Sequence, residues 1–152
     1  MSRYPNMDSR HISLSIGPPT PRGIGSRRFI TEENDPLRVK FKPMLNNVCC
    51  TKSARQVHIG KEKNASVLIF VDGSAPQNGH NDVRAGCGVV FRSDGKPLYF
   101  PLERVSDQPL SSNRAELCAA HAALCARAWA VEGFHRIVIG ADSTYMVKGV
   151  ND

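Results

Sequence analysis

The chain has 152 residues, a net charge of +6 and 41% hydrophobic residues, which suits one folded domain with or without a tail. No stretch approaches the roughly 18 consecutive apolar residues of a membrane-spanning helix, and no apolar segment follows Met1 as it would in a secretory signal. The five cysteines include no CxxC pair and indicate no disulfide framework. We therefore expect an intracellular protein without a membrane partner.

Residues 1–64 differ in composition from the rest of the chain. They hold six of the ten prolines, and 12 lysines and arginines against 5 acids, a net charge of +7. Residues 65–152 hold 8 basic residues against 9 acids, a net charge of −1. This contrast predicts a basic tail containing Pro, Ser and Arg over residues 1–64, largely disordered, and a domain over residues 65–152.

The predicted tail carries little pattern of its own. Its Arg-rich, acid-poor start is typical of a mitochondrial transit segment, although its clustered prolines would break a helix there. The nucleus and the mitochondrion both stay open as locations. Residues 37–41 alternate apolar and basic side chains as a short strand does, and residues 46–63 show no period and are interpreted as a linker. The positive charge either contacts phosphates or belongs to a solvated segment.

The most apolar stretch of the chain is residues 67–71, Val-Leu-Ile-Phe-Val, followed by Asp72 and Gly73. A short continuous apolar run closed by a turn residue indicates a buried central strand. Asp72 then has two interpretations. It caps a turn, as Asp before Gly often does, or it stands at the carboxyl end of a strand, where open α/β sheets bind ligands.

Three further strands are predicted. Residues 85–92 and 97–102 form two strands joined by a Ser-Asp-Gly turn, and two prolines put the second of them at a sheet edge. Gly86 and Gly88 indicate close approach by a neighbouring element. Residues 136–141 form a buried strand that ends at Asp142.

Two helices complete the pattern. Ser112 or Asn113 caps the first, which continues to about Gly133, and Glu116 stands at the capping-box spacing after Asn113. Ser143 caps a second helix over residues 144–150. The buried stripe predicted for the first helix consists of Leu117, Ala120, His121, Leu124, Ala128 and Val131.

These elements predict an α/β fold with a mixed sheet. A three-stranded antiparallel meander is followed by a crossover helix and a parallel fourth strand, incomplete at the C-terminus, which leaves the fourth strand as an unpaired edge. The strand directions bring Asp72, Glu116 and Asp142 to one corner of the sheet. Each acid has a structural explanation by itself, but three adjacent carboxylates repel one another. Mg²⁺ would relieve that repulsion, and two such ions assist phosphoryl transfer.

Four motifs occur along the second half of the chain: Val-Asp-Gly-Ser at 71–74, Arg-Ala-Gly-Cys-Gly-Val at 84–89, Ser-Asn-Arg-Ala-Glu-Leu at 112–117 and Ala-Asp-Ser at 141–143. In this order, and with a β-β-β-α-β pattern, the chain resembles type 1 ribonuclease H over about residues 65–152. The resemblance implies an endoribonuclease that hydrolyses the RNA strand of RNA–DNA hybrids. It also implies two Mg²⁺ ions, with Mn²⁺ as a substitute, and products with 5′-phosphate and 3′-hydroxyl ends.

The same resemblance assigns site residues. It implies catalytic and metal-binding roles for Asp72, Glu116 and Asp142, and contacts with the hybrid for Asn78, Ser112 and Asn113, where the RNA 2′-hydroxyl gives discrimination. Ser112 departs from the asparagine that the family often has at this position.

The family's fold continues beyond these motifs through more helices, a fifth strand and a fourth carboxylate. We therefore expect a truncated, monomeric domain of impaired activity. One alternative is a catalytically inactive nucleic-acid-binding module with the same fold. Another is an integrase-like or exonuclease-like relative, against which the Asn-Arg-Ala-Glu motif argues.

Overall fold

The computed structural model describes residues 11–15, 26–28, 40–45, 54–60, 64–76, 84–92, 94 and 96–151. Within these ranges the strands lie in one sheet, with the order β2-β1-β8-β5-β4-β3 and with β6 and β7 attached to β5. The elements are β1 His11–Ser15, β2 Ser26–Arg28, β3 Lys42–Met44, β4 Arg55–Ile59, β5 Ala65–Ser74, β6 Gly86–Val90, β7 Leu98–Pro101, α1 Ser112–Cys125, β8 Phe134–Gly140 and α2 Thr144–Asn151.

The predicted α/β arrangement is confirmed. β5, β6 and β7 form an antiparallel meander, and α1 returns the chain to β8, which pairs with β5 in parallel. β7 pairs only with β6 among the described strands, at the predicted sheet edge. Phe134–Gly140 begins two residues earlier than predicted because Phe134 also packs into the core, 5% exposed.

The long strand β5 is paired along its whole length, and two different strands share one of its edges. β4 pairs with its first residues, with Gln56 opposite Leu68, and β6 pairs with its last residues, with Phe70 opposite Val90. The prediction of a linker over residues 46–63 is therefore wrong at residues 55–59, which form β4. The alternation of Arg, Gln, Val, His and Ile in this segment is the period of a strand with one buried face.

β8 is not the unpaired edge that the sequence predicted. β1 runs antiparallel along its free side, with Ile12 opposite Ile139 and Ser15 opposite Arg136, and β2 pairs with β1 in turn. β1 and β4, both from residues 1–64, thus lie on opposite sides of the β5–β8 pair. They supply hydrogen-bond partners to the backbone of β8 and β5.

Helix α1 packs against β5 and β6 through alanines. Ala115, Ala119 and Ala123 are buried, at i, i+4 and i+8, which places them on one face. The predicted stripe is wrong: Leu117 is 43% exposed and His121 is exposed. The helix is apolar on most sides, and its smallest side chains face the sheet because they allow the closest packing.

α1 ends at Cys125 rather than near Gly133, and the intervening residues form turns. Gly133 still has a structural role, because its φ of 88° lies in the left-handed region that favours glycine. Trp129 in this segment is 2% exposed. Its indole donates a hydrogen bond to the carbonyl of Ala123 (3.0 Å), which closes the last turn of the helix.

Three charged residues meet under these turns, and we call Arg55, Arg127 and Glu132 the Arg55 cluster. Arg127 Nε donates to Glu132 Oε1 at 2.7 Å and Arg55 Nε to Glu132 Oε2 at 3.4 Å. The guanidinium of Arg55 lies over the rings of Phe91 (5.1 Å) and Trp129 (5.9 Å). With side chains of Arg55 and Glu132 only 1% and 3% exposed, the cluster joins β4 to the loop before β8.

Candidate active site

Asp72 lies inside β5 rather than in a turn after it. The strand continues to Ser74, and Asp72 is paired with Gly88 of β6. Gly73 therefore does not end the strand. A Cβ at Gly73 would lie 2.2 Å from the backbone nitrogen of Glu116, so a glycine is required here for α1 to approach the strand. The turn interpretation of Asp72 is wrong, and the Asp-Gly pair places an acid beside the start of a helix.

The start of α1 is fixed by two serines. Ser111, rather than Ser112 or Asn113, is the N-cap, and its hydroxyl accepts a hydrogen bond from the amide of Arg114 (3.2 Å). Glu116 consequently stands two residues beyond the capping-box position and does not cap the helix. The hydroxyl of Ser112 accepts a hydrogen bond from the amide of Ala75 (3.3 Å), which ties α1 to the end of β5.

Asp142 follows β8 at the same level as Asp72. The two strands are parallel, and Phe70 of β5 is paired with Gly140 of β8, so two residues further along each strand are Asp72 and Asp142. Ser143 then caps α2, as predicted, by accepting a hydrogen bond from the amide of Met146 (3.2 Å). Strand direction and register thus bring the two aspartates to the same end of the sheet.

The electrostatics of Glu116 show that the three acids are neighbours. Burial raises the pKa of Glu116, a hydrogen bond from Ser143 lowers it, and the negative charges of Asp142 and Asp72 raise it again. The net effect is a pKa above the ordinary value. Since like charges act over short distances in a folded protein, the carboxylates of Asp72, Glu116 and Asp142 share one corner, which we call the carboxylate corner.

One oxygen of this corner lacks a partner. Glu116 Oε2 is buried and accepts no hydrogen bond, which is costly unless another group satisfies it. A hard divalent cation suits such an oxygen, because Mg²⁺ binds carboxylate oxygens. Across the described ranges, however, no three His, Cys, Asp or Glu side chains are grouped closely enough to hold a metal ion as they stand. The carboxylate oxygens are nevertheless donor atoms of the kind that Mg²⁺ prefers.

The predicted substrate contacts have different surroundings. Asn113 is exposed in the first turn of α1, three residues before Glu116. Ser112 is half-buried and its hydroxyl already bonds to β5. Asn78 lies outside the described residues.

Two residues that shape the corner were missed from the sequence. Gly73 permits the approach of α1, and Ser143 donates to the carboxylate of Glu116 while capping α2. A serine hydroxyl can do both because it donates and accepts. The position of Ser143 directly after Asp142 is the pattern that could have identified it.

A family model described as RNase H matches residues 64–152. The chain belongs to the RNase H family. No curated protein and no solved structure matched the chain.

Membership of the RNase H family supports a ribonuclease H-type nuclease function in general terms. The family consists of ribonuclease H-type nucleases, whose members generally use divalent metal ions. The matched span contains Asp72, Glu116 and Asp142 together with β5, α1 and β8, which position them. In the part of the chain that the structure describes, no helix is long and apolar enough to cross a lipid bilayer.

Proposed function

We propose that this RNase H protein hydrolyses the RNA strand of RNA–DNA hybrids at the carboxylate corner. The observation that supports this most is the gathering of three acids from separate parts of the chain, because burial and the negative charges of Asp142 and Asp72 raise the pKa of Glu116. Carboxylates by themselves would repel a phosphodiester, but carboxylates that hold divalent cations suit a reaction in which negative charge develops on oxygen.

Asp72, Glu116 and Asp142 would hold two Mg²⁺ ions, with Mn²⁺ as a substitute. When bound, the ions supply charge stabilisation for the attacking and leaving oxygens of the phosphodiester. The partnerless Oε2 of Glu116 is the oxygen most in need of such a ligand. Ser143 would hold the orientation of Glu116 through its hydrogen bond, as outer-shell groups do for metal-binding carboxylates.

Recognition of the hybrid is assigned to polar groups at the start of α1. Asn113 is exposed there and would contact the ribose 2′-hydroxyl, which distinguishes RNA from DNA. Ser112 would act mainly by fixing α1 to β5, given its hydrogen bond with Ala75. Asn78 is retained as a third substrate contact on the strength of the sequence resemblance.

The test is cleavage of a hybrid labelled on its RNA strand, with RNA and DNA duplexes as comparison substrates. We expect Mg²⁺-dependent cleavage of the RNA strand of the hybrid, reduced about 100-fold or more in Asp72→Asn while binding persists, since even outer-shell partners of a metal account for 10- to 100-fold. Asp107→Asn is the matched control, because Asp107 is exposed in a turn between β7 and α1.

The proposal is contradicted if the unaltered protein and Asp72→Asn both bind the hybrid and neither of them cleaves it. That result would support a non-catalytic nucleic-acid-binding module.

Light scattering on the same preparation would give the oligomeric state, for which we propose a monomer. A fluorescent fusion would test the proposed intracellular location, in the nucleus or in the mitochondrion.

A further inference from the structure

A row of three paired residues crosses the sheet next to the carboxylate corner. Asp72 of β5 is opposite Gly88 of β6, and Gly88 is opposite Tyr99 of β7. Side chains at paired positions project from the same face. The row therefore carries an acid at one end, a phenol at the other and bare backbone between them. Two strand spacings separate the ends, about 10 Å.

The neighbouring row repeats the arrangement. Ser74 is opposite Gly86, and Gly86 is opposite Pro101. Together the two rows form a cleft of about 400 Å³ whose floor is the two glycines. The close approach by a neighbouring element that these glycines predicted is present at Gly88, against the ring of Tyr99 in β7, and absent at Gly86 among the described residues. Among the described residues, the Phe100 carbonyl oxygen, at 3.9 Å, is the one atom within 4 Å of a Cβ built at Gly86.

Tyr99 forms one wall of this cleft. A Cβ at Gly88 would lie 3.3 Å from Cε1 of the tyrosine ring, so the ring leans over the glycine towards the side of Asp72. The residue is nevertheless 75% exposed, and folding gains little from placing an aromatic ring there. Leu98, its neighbour in β7, projects from the opposite face and is 50% exposed.

We infer that this cleft is a subsite for a ribose of the nucleic-acid strand bound at the carboxylate corner, with the ring of Tyr99 packed against the sugar. The inference rests on the proposed function, whose reacting phosphodiester lies at Asp72. An aromatic ring with a polar hydroxyl suits a sugar, which offers both C–H groups and hydroxyls. The hydroxyl of Ser74, exposed at the edge of the cleft, lies within the same subsite.

A sugar fits the cleft better than a base does. Bases within a duplex are stacked on one another, and extruding one is costly. The wide, shallow minor groove of an A-form helix displays riboses and their 2′-hydroxyls. A shallow cleft with a flat glycine floor matches that surface, and an aromatic wall beside the corner would hold the strand in position for the reaction.

The test measures hybrid binding by fluorescence anisotropy in EDTA, so that neither metal nor turnover enters the result. Tyr99→Ala should weaken binding of the hybrid about threefold to tenfold, the range of a lost aromatic contact, and Tyr99→Phe should recover most of the affinity because it keeps the ring. Leu98→Ala is the matched control and should bind as the unaltered protein does. In cleavage assays Tyr99→Ala should raise KM and leave kcat within about twofold.

A second variant tests the floor of the cleft. Gly88→Val fills the space beside the ring and should weaken hybrid binding as much as Tyr99→Ala does, with circular dichroism confirming that the sheet is intact. Unchanged hybrid binding by folded Tyr99→Ala and Gly88→Val would overturn the subsite even if the unaltered protein cleaves hybrids. If Tyr99→Ala weakened the binding of single-stranded nucleic acid but not of hybrids, Tyr99 would be a base-stacking platform. That result would overturn the ribose assignment. Failure of the unaltered protein to bind or cleave any hybrid would instead overturn the proposed function, and the subsite with it.

Discussion

The two ends of α1 handle charge in opposite ways. At its start, the carboxylate corner gathers three negative charges, raises the pKa of Glu116 and leaves Glu116 Oε2 without a hydrogen bond. Beyond its end, the Arg55 cluster buries one carboxylate between two guanidinium groups. Burial raises the pKa of Glu132, but hydrogen bonds and positive charge from Arg127 and Arg55 outweigh it, and the net pKa is lowered.

The contrast separates charge that serves the fold from charge that serves a ligand. The Arg55 cluster is satisfied internally, as buried charges must be in a stable protein. In the carboxylate corner Glu116 Oε2 has no hydrogen bond, and a raised carboxyl pKa such as that of Glu116 is typical of functional sites. Replacing a carboxylate at the two ends should therefore change stability in opposite directions, whereas added bulk at Gly73 should destabilise the start of the helix.

The largest effect is expected from removing the shared carboxylate of the Arg55 cluster. Glu132→Ala should lower the free energy of unfolding by about 3–5 kcal/mol, because it leaves the buried guanidinium of Arg55 uncompensated. Urea unfolding followed by circular dichroism measures this change. Glu103→Ala, at an exposed acid, should change stability by less than about 0.5 kcal/mol. Equal effects of both variants would show that the cluster adds nothing to the fold.

A methyl group at Gly73 should have the next largest effect. Gly73→Ala places a Cβ against the backbone of Ala115 and Glu116, which must move, at a cost of about 1–3 kcal/mol. Hybrid cleavage should fall as well, since Glu116 is displaced with the helix. Gly149→Ala is the control: no atom lies within 4 Å of its added Cβ, and alanine in α2 should stabilise the protein by up to about 1 kcal/mol.

The pH dependence of the Arg55 cluster gives a smaller difference with a definite sign. The pKa of Glu132 is lower in the folded protein than in the unfolded chain, so its contribution to stability is present above the unfolded pKa, about 4.3. It is lost as the pH falls through the folded pKa. The stability difference between the unaltered protein and Glu132→Gln should therefore shrink between pH 6 and pH 3, roughly the range over which such a carboxyl titrates. A constant difference would contradict this assignment.

The smallest effect is expected at the carboxylate corner, and its sign is reversed. The pKa of Glu116 is raised in the fold, so its ionised form destabilises the folded protein at pH 7. Glu116→Gln should raise the free energy of unfolding in EDTA by up to about 1 kcal/mol, as substitutions at strained functional sites often do. Added Mg²⁺ should stabilise the unaltered protein more than this variant. Destabilisation by Glu116→Gln in EDTA would make Glu116 a structural residue.

The sequence predicted the parts of this fold that have a strong local pattern. The apolar run before Asp72 and the Ser-Asp-Gly turn between β6 and β7 identified the meander, and the crossover helix placed β8 parallel to β5. From these directions alone Asp72, Glu116 and Asp142 were predicted to meet, and the electrostatics of Glu116 agree with that position.

The errors arose where distant contacts override local pattern. Arg55 is buried because it pairs with Glu132, 77 residues away, and an arginine in a polar segment gives no local sign of this. The buried face of α1 was misjudged because the helix is apolar on several sides, and only the approach at Gly73 selects the alanine face. The Asp-Gly pair was ambiguous for the same reason, since a turn and a close helix approach require the same glycine.

The position of Arg55 has a practical consequence for anyone who shortens this protein. The family match begins at residue 64, which invites expression of residues 64–152 alone. Such a fragment would retain every acid of the carboxylate corner but would lose β4 and the guanidinium stacked on Phe91 and Trp129. Glu132 would lose the guanidinium of Arg55 and keep that of Arg127, whose side chain is 31% exposed. A fragment cut at the family boundary would therefore lack the buried ion pair between Arg55 and Glu132. A fragment that begins before Arg55 keeps this pair.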